Sequence, residues 1–169
     1  GLAAGTDLSM SEDKIRGMRN FCNKLWNITR FINEKHQIQN YKSQINPKFK
    51  APNHKQLGIL DFEHCNFFGN CNFEFVISPD DKEILKKTQD LVKKVSKDID
   101  TYRFGQAAEK LYDFIWHELA DKEIENCKVK PERLSTLCSV YLACLKLLSP
   151  FMPFITSEIK EILTNRHTL

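Results

Sequence analysis

Arg16, Asn20, Asn23, Lys24, Asn27, Arg30 and Phe31 recur mostly at intervals of three and four. At ~100° per residue, Arg16, Asn20, Asn23, Asn27 and Arg30 then share one side of a helix, opposite the apolar residues. Asn costs a helix roughly 0.6 kcal/mol relative to Ala, so three of them on one exposed face work against stability where Glu or Lys would serve. Amides and guanidinium groups can instead read base edges and hold phosphates. Phe31 falls about 140° from the middle of the apolar arc, beside Lys24, Asn27 and Arg30, where an aromatic ring suits stacking on an unpaired base. The alternative is that Phe31 packs beneath the segment that follows. Trp26, at the edge of the apolar arc, is expected in the core.

No comparable constellation points to catalysis. The phosphate-cradling, dinucleotide, nucleophile-elbow and zinc-protease strings are absent from the sequence. His117 and Asp113 lie four apart and could share a helix face, but no nucleophile accompanies them, so a solvated pair is expected and no catalytic residue is assigned. His64 and Cys65 with Cys71 are too few and too loosely spaced for a structural zinc site, and no metal is assigned. The six cysteines form no C-x-x-C pair and read as free thiols in a reducing compartment, with the cytoplasm the expected location.

Charge supports the first reading. From Lys14 to Lys55 ten basic residues face one acid, Glu34, a local balance of +9 that leaves −6 to the rest of a chain whose net charge is +3. A positive surface of this kind has polyanions as natural partners. The chain has 169 residues, 41% of them hydrophobic, which suits one domain able to bury its own core. No stretch reaches the ~18 apolar residues needed to cross a bilayer, and the start Gly1-Leu2-Ala3-Ala4-Gly5 lacks the order of a secretory signal. A soluble protein without membrane contact is expected.

Helical periodicity must position these residues. Ile15, Met18, Phe21, Cys22, Leu25, Ile28 and Ile32 mark the apolar face of a long helix from about Ser11 to Glu34, capped by Ser9 or Ser11. Residues 36–78 lose that period and contain Pro47 and Pro52. They read as an irregular insertion in which Phe73, Phe75 and Ile77 could form a β-hairpin with residues 57–62. Ser78-Pro79-Asp80-Asp81 starts a second helix reaching about Ile99, and a third runs from Phe104 to near Cys127. Leu134 to Leu148 gives a fourth, and Pro150 and Pro153 bend the chain into a short fifth ending near Leu163. Four long amphipathic helices plus a short C-terminal one predict an all-α antiparallel bundle.

The run Arg19-Asn20-Phe21-Cys22-Asn23-Lys24-Leu25-Trp26-Asn27-Ile28-Thr29-Arg30-Phe31 closely resembles the R-N-F-x-N-K-L-W-N-x-x-R-F signature of valyl-tRNA synthetases. Gly5-Thr6-Asp7, Tyr102-Arg103-Phe104-Gly105-Gln106-Ala107-Ala108, Leu111 to Trp116 and Leu148 to Thr156 extend the likeness over most of the chain outside 36–76. Isoleucyl and leucyl synthetases share the bundle and its P-F-x-P-F ending, whereas N-K-L-W-N favours valyl.

The resemblance implies an anticodon-binding helical domain occupying residues 1–169, in which 1–10 form the junction with a catalytic core outside this chain. The parent enzyme charges valine onto its tRNA with ATP and magnesium. The chain itself lacks the His-Ile-Gly-His and Lys-Met-Ser-Lys-Ser strings, so it is expected to be an inactive fragment without cofactor. Its implied partners are a valine tRNA's anticodon arm, with Arg30 and Phe31 against the anticodon, and the parent catalytic core. A monomer is expected. The rival reading is a structural helical domain whose basic face docks a protein partner or its own catalytic core. The RNA reading predicts that Arg30→Ala and Phe31→Ala weaken binding without lowering the melting temperature. Glu83, Lys122, Glu123 and Lys160 stand where the family usually has aromatic residues, and they are expected to face solvent. Lys122 nevertheless falls on the apolar arc of its helix.

Overall fold

The computed structural model describes residues 11–45 and 79–164. They form helices α1 (Glu12–Ile45), α2 (Pro79–Asp100) and α3 (Phe104–Asp113). Next come a π-helical segment (Phe114–Glu123), α4 (Ile124–Val129), a 3-10 turn (Pro131–Arg133), α5 (Leu134–Leu148) and α6 (Pro153–Thr164). The all-α bundle expected from periodicity is what forms, with α3, the π segment and α4 together making the third long rod. The suggested β-hairpin, the junction at 1–10 and the His64, Cys65 and Cys71 cluster lie outside the described residues.

Ser11 is the cap of α1, since its Oγ accepts a long 3.4 Å hydrogen bond from the backbone N–H of Lys14. The helix does not stop near Glu34. It continues to Ile45, so the first ten residues assigned to the irregular insertion are helical. The apolar period is thus lost before the backbone hydrogen bonds of the helix end.

α5 is the central rod, buried on nearly all sides from Leu134 to Leu148 except at Cys138, Lys146 and two N-terminal positions, and it packs against α1, α2, α3 and α6. Phe21, Leu25, Ile28 and Ile32 of α1 meet Leu111, Ile115 and Leu119 of the third rod, together with Val140, Tyr141, Leu145 and Ile159, in one core. The Phe21 ring lies 4.8 Å from that of Tyr112, while Lys24 reaches Asp121 further along the third rod, so α1 and that rod run in the same direction. Arg133 joins Asp81 and Glu123 at the opposite end. Consecutive rods therefore alternate direction.

The α2–α3 corner is a left-handed helix stop. The N–H of Arg103 donates to the Asp98 carbonyl at 2.7 Å and that of Tyr102 to Ile99 at 3.0 Å, which places Tyr102 at φ 58° where glycine is usual. Lys110 and Arg103 both pair with the buried Asp98, and the hydrogen bond from Lys110 holds its carboxyl below the ordinary range. Tyr102, Phe104, Ile15, Met18 and Phe154 are all exposed, and the rod directions put them at the same end of the bundle. Ile15, Met18 and Phe104 thus leave the apolar faces assigned to them by periodicity, because each lies on the first turns of its helix, beyond the packed neighbours.

The π segment explains Lys122. Its wider i→i+5 turns rotate the following residues relative to an unbroken α-helix, and Lys122 leaves the apolar arc, is exposed and pairs with Glu118. Glu83 is also exposed and lies 2.8 Å from Lys87, which reaches Glu118 at 3.0 Å, so a surface network ties α2 to the π segment. Glu123 departs from the solvent-facing expectation: it is half-buried, with Oε2 2.9 Å from an Arg133 terminal nitrogen. Lys160 is half-buried as well.

Candidate nucleic-acid interface

Because Leu25, Ile28, Thr29 and Ile32 fix one side of α1 against the core, the opposite side is open along the helix. Arg16, Asn20, Asn23, Asn27 and Arg30 are all exposed on it, as the helical spacing requires. Arg16 lies 3.8 Å from Asp13, and the Nε of Arg30 lies 3.3 Å from Glu34. Both are exposed pairs within one turn, worth little in water and readily exchanged for phosphate. Arg19 joins the same side and is exposed. It has no ion pair among the described residues.

Two predicted site residues are not on this open side. Lys24 is turned toward the third rod, where its Nζ donates to Asp121 Oδ1 at 3.0 Å and sits 4.9 Å from the centre of the Trp116 ring. The Asp121 carboxyl is held below its ordinary range, first by that hydrogen bond and then by the charges of Lys24 and His117. His117 finds its acid in Asp121, 3.6 Å away, and not in Asp113. Phe31 lies on the same flank as Lys24, seven residues on. It is half-buried and packed against the core, with the Lys35 ammonium 5.7 Å from its ring centre. Phe31 lies far from the middle of the apolar arc, but the neighbouring third rod widens the covered sector of α1 to include it.

Among the described side chains of α1, Trp26 is an aromatic ring that does stand exposed, at 45%. Its place at the border of the apolar arc predicts a core position, which it does not take. Phe21, Leu25, Ile28 and Ile32 already complete that face at 3% exposure or less. The signal available in sequence was its spacing from Arg19, Asn23 and Arg30, at seven and three residues before and four after.

Among the described residues, no group of three or more His, Cys, Asp and Glu side chains could hold a metal ion, and no helix is long and apolar enough to cross a membrane. What the arrangement offers chemically is a strip of amides and guanidinium groups on a rigid rod, suited to phosphates and unpaired base edges.

Residues 81–169 match the family described as the anticodon-binding domain of tRNA ligase. The valine–tRNA ligase of Legionella pneumophila (strain Lens) is 33% identical over 168 residues, covering 93% of this chain and 15% of its own length. That of Clostridium tetani is 30% identical over 168 residues, covering 94% of this chain and 16% of its own. The enzyme of Clostridium acetobutylicum is 31% identical over 170 residues, covering 95% and 16%. The chain thus spans 15–16% of the length of these relatives. No solved structure matches it.

Proposed function

Because the chain belongs to the family of anticodon-binding domains of tRNA ligases, we propose that it holds the anticodon arm of a valine tRNA for a cytoplasmic valine–tRNA ligase. The observation that carries this reading is the open side of α1, where Arg16, Asn20, Asn23, Asn27 and Arg30 stand together in solvent. The guanidinium groups take phosphates, and the amides take base edges or sugar hydroxyls. Lys24 and Phe31 border the strip on the flank of the third rod. Lys24 reaches RNA by releasing Asp121, and Phe31 offers a ring edge to an approaching base.

The whole enzyme joins valine to its tRNA using ATP and magnesium. The His-Ile-Gly-His and Lys-Met-Ser-Lys-Ser strings of its active site are missing from this sequence, so no residue here is assigned to either. The exposed apolar end formed by Ile15, Met18, Tyr102, Phe104 and Phe154 supports a second surface, the seat of the catalytic core. The domain acts as a monomer in that arrangement.

Anticodon stem-loops differing at the middle and third anticodon bases, titrated at two salt concentrations, test the reading. Preference for valine anticodons together with a salt-sensitive affinity supports it. Equal affinity for every loop reduces the strip to a phosphate-binding surface, and absence of RNA affinity removes the proposal in favour of protein docking.

A further inference from the structure

The two tryptophans of the chain are in opposite states. The Trp116 ring is stacked on Tyr112, with centroids 5.5 Å apart and an interplanar angle of 20°, and Lys24 lies over it. Trp26 is 45% exposed on a helix whose core-facing residues are complete without it. A large ring left in water on a rigid rod can stack on a flat partner without any rearrangement of the fold. Its surroundings indicate which kind of partner. Arg19 and Arg30 lie two turns and one turn away along α1, and Asn23 lies one turn below, all three exposed. Arginines and an amide around an open indole complement an anionic chain that carries flat bases better than they complement an apolar protein surface.

Building on the RNA-binding reading above, we infer that Trp26 is the stacking platform for an unpaired nucleobase of the bound RNA. Arg19 and Arg30 hold the flanking phosphates, and Asn23 offers hydrogen bonds to the base edge. Trp26 thus adds a stacking surface on the exposed part of α1 while Phe31 stays packed against the core.

The test uses the 169-residue chain and a dye-labelled RNA hairpin with the valine anticodon loop unpaired. Anisotropy of the dye reports binding. In a Trp116→Phe background Trp26 is the sole indole, and its emission should be quenched in step with the anisotropy rise. In the otherwise unmodified chain Trp26→Ala should weaken binding by about 5- to 100-fold, and Trp26→Phe by less, with the helical circular dichroism retained. A hairpin that binds the Trp26→Ala chain as tightly as the unmodified one, with Trp26 emission unchanged, overturns the inference and leaves the functional proposal standing. Equal quenching by a fully paired RNA duplex overturns it in favour of phosphate contact alone. If the unmodified chain does not bind the hairpin, both readings fall.

Discussion

The phenol oxygen of Tyr141 on α5 lies 3.0 Å from Oγ1 of Thr29 on α1, and both hydroxyls converge on the Leu25 carbonyl, at 2.8 Å from Tyr141 and 3.0 Å from Thr29. The three groups are buried, so two protons serve three contacts where water does not compete. An apolar face alone tolerates some rotation of a helix. A directed polar contact on its midline narrows that rotation and adds to the apolar packing that leaves the opposite side of α1 open.

Tyr141→Phe removes two of those contacts while Thr29 keeps its bond to Leu25. A loss of about 1 kcal/mol is expected, the usual net value of a buried hydrogen bond whose partners retain another. Urea unfolding measures it. Affinity for the anticodon stem-loop should be unchanged, because the apolar packing of Leu25, Ile28 and Ile32 still seats the helix.

Arg133 should matter far more. Its Nε lies 2.9 Å from Asp81 Oδ1 and a terminal nitrogen 2.9 Å from Glu123 Oε2, with the guanidinium side chain 8% exposed. Burial pushes the Glu123 carboxyl above its ordinary range, against the opposing charge of Arg133. Arg133→Met leaves two carboxylates in a dry corner and is expected to cost about 3–5 kcal/mol, as when one member of a buried pair is removed. Glu123→Gln keeps the Asp81 contact and should cost far less. Equal midpoints for the two variants in urea would show that the corner is hydrated.

The bundle was legible because α2, α5 and the first part of α1 each repeat their apolar residues at three and four, and because Pro79, Pro131 and Pro153 mark helix starts. Of the candidate site, the exposure of Arg16, Asn20, Asn23, Asn27 and Arg30 was legible, because it depends on α1 alone. It was not legible for Lys24, whose carboxylate partner lies 97 residues away. Nor was it for Phe31 and Trp26, because the covered sector of α1 is set by which rods flank it. The π segment was hidden for a different reason. Phe114, Ile115 and Leu119 fit an α period, and the change of register becomes visible only in where Lys122 points.

Alkaline pH should weaken the fold. Burial lifts the thiols of Cys144 and Cys127 to about 12, whereas an unfolded thiol ionises near ~8.5. Burial also raises the Tyr141 phenol, against the Thr29 hydrogen bond. Between ~8.5 and ~12 the unfolded chain has therefore released protons that the folded one keeps, so stability falls as pH rises, by on the order of 2 kcal/mol for each thiol at pH 10. Urea midpoints at pH 8 and pH 10 should show this decline. Cys144→Ala should make it smaller, and an undiminished decline in that variant would place the titrating groups elsewhere.

Arg30→Ala and Phe31→Ala should separate binding from stability. Arg30 is exposed and its carboxylate partner Glu34 is exposed too, so its removal should change stability by less than about 0.5 kcal/mol. It should also lower RNA affinity and make the slope of log K against log salt shallower by about 0.7 to 1, the loss of one phosphate contact. Phe31 is packed against the core, so Phe31→Ala should lower the melting temperature as well, contrary to the expectation from helical spacing alone. A half-buried ring should cost about 1–3 kcal/mol, less than the 3–5 kcal/mol typical of a fully buried one. Its effect on binding must then be measured well below that melting temperature, with the salt slope as the discriminating readout. Phe31 carries no charge, so its loss should move the affinity at every salt concentration alike and leave the slope intact, while Arg30→Ala should alter both.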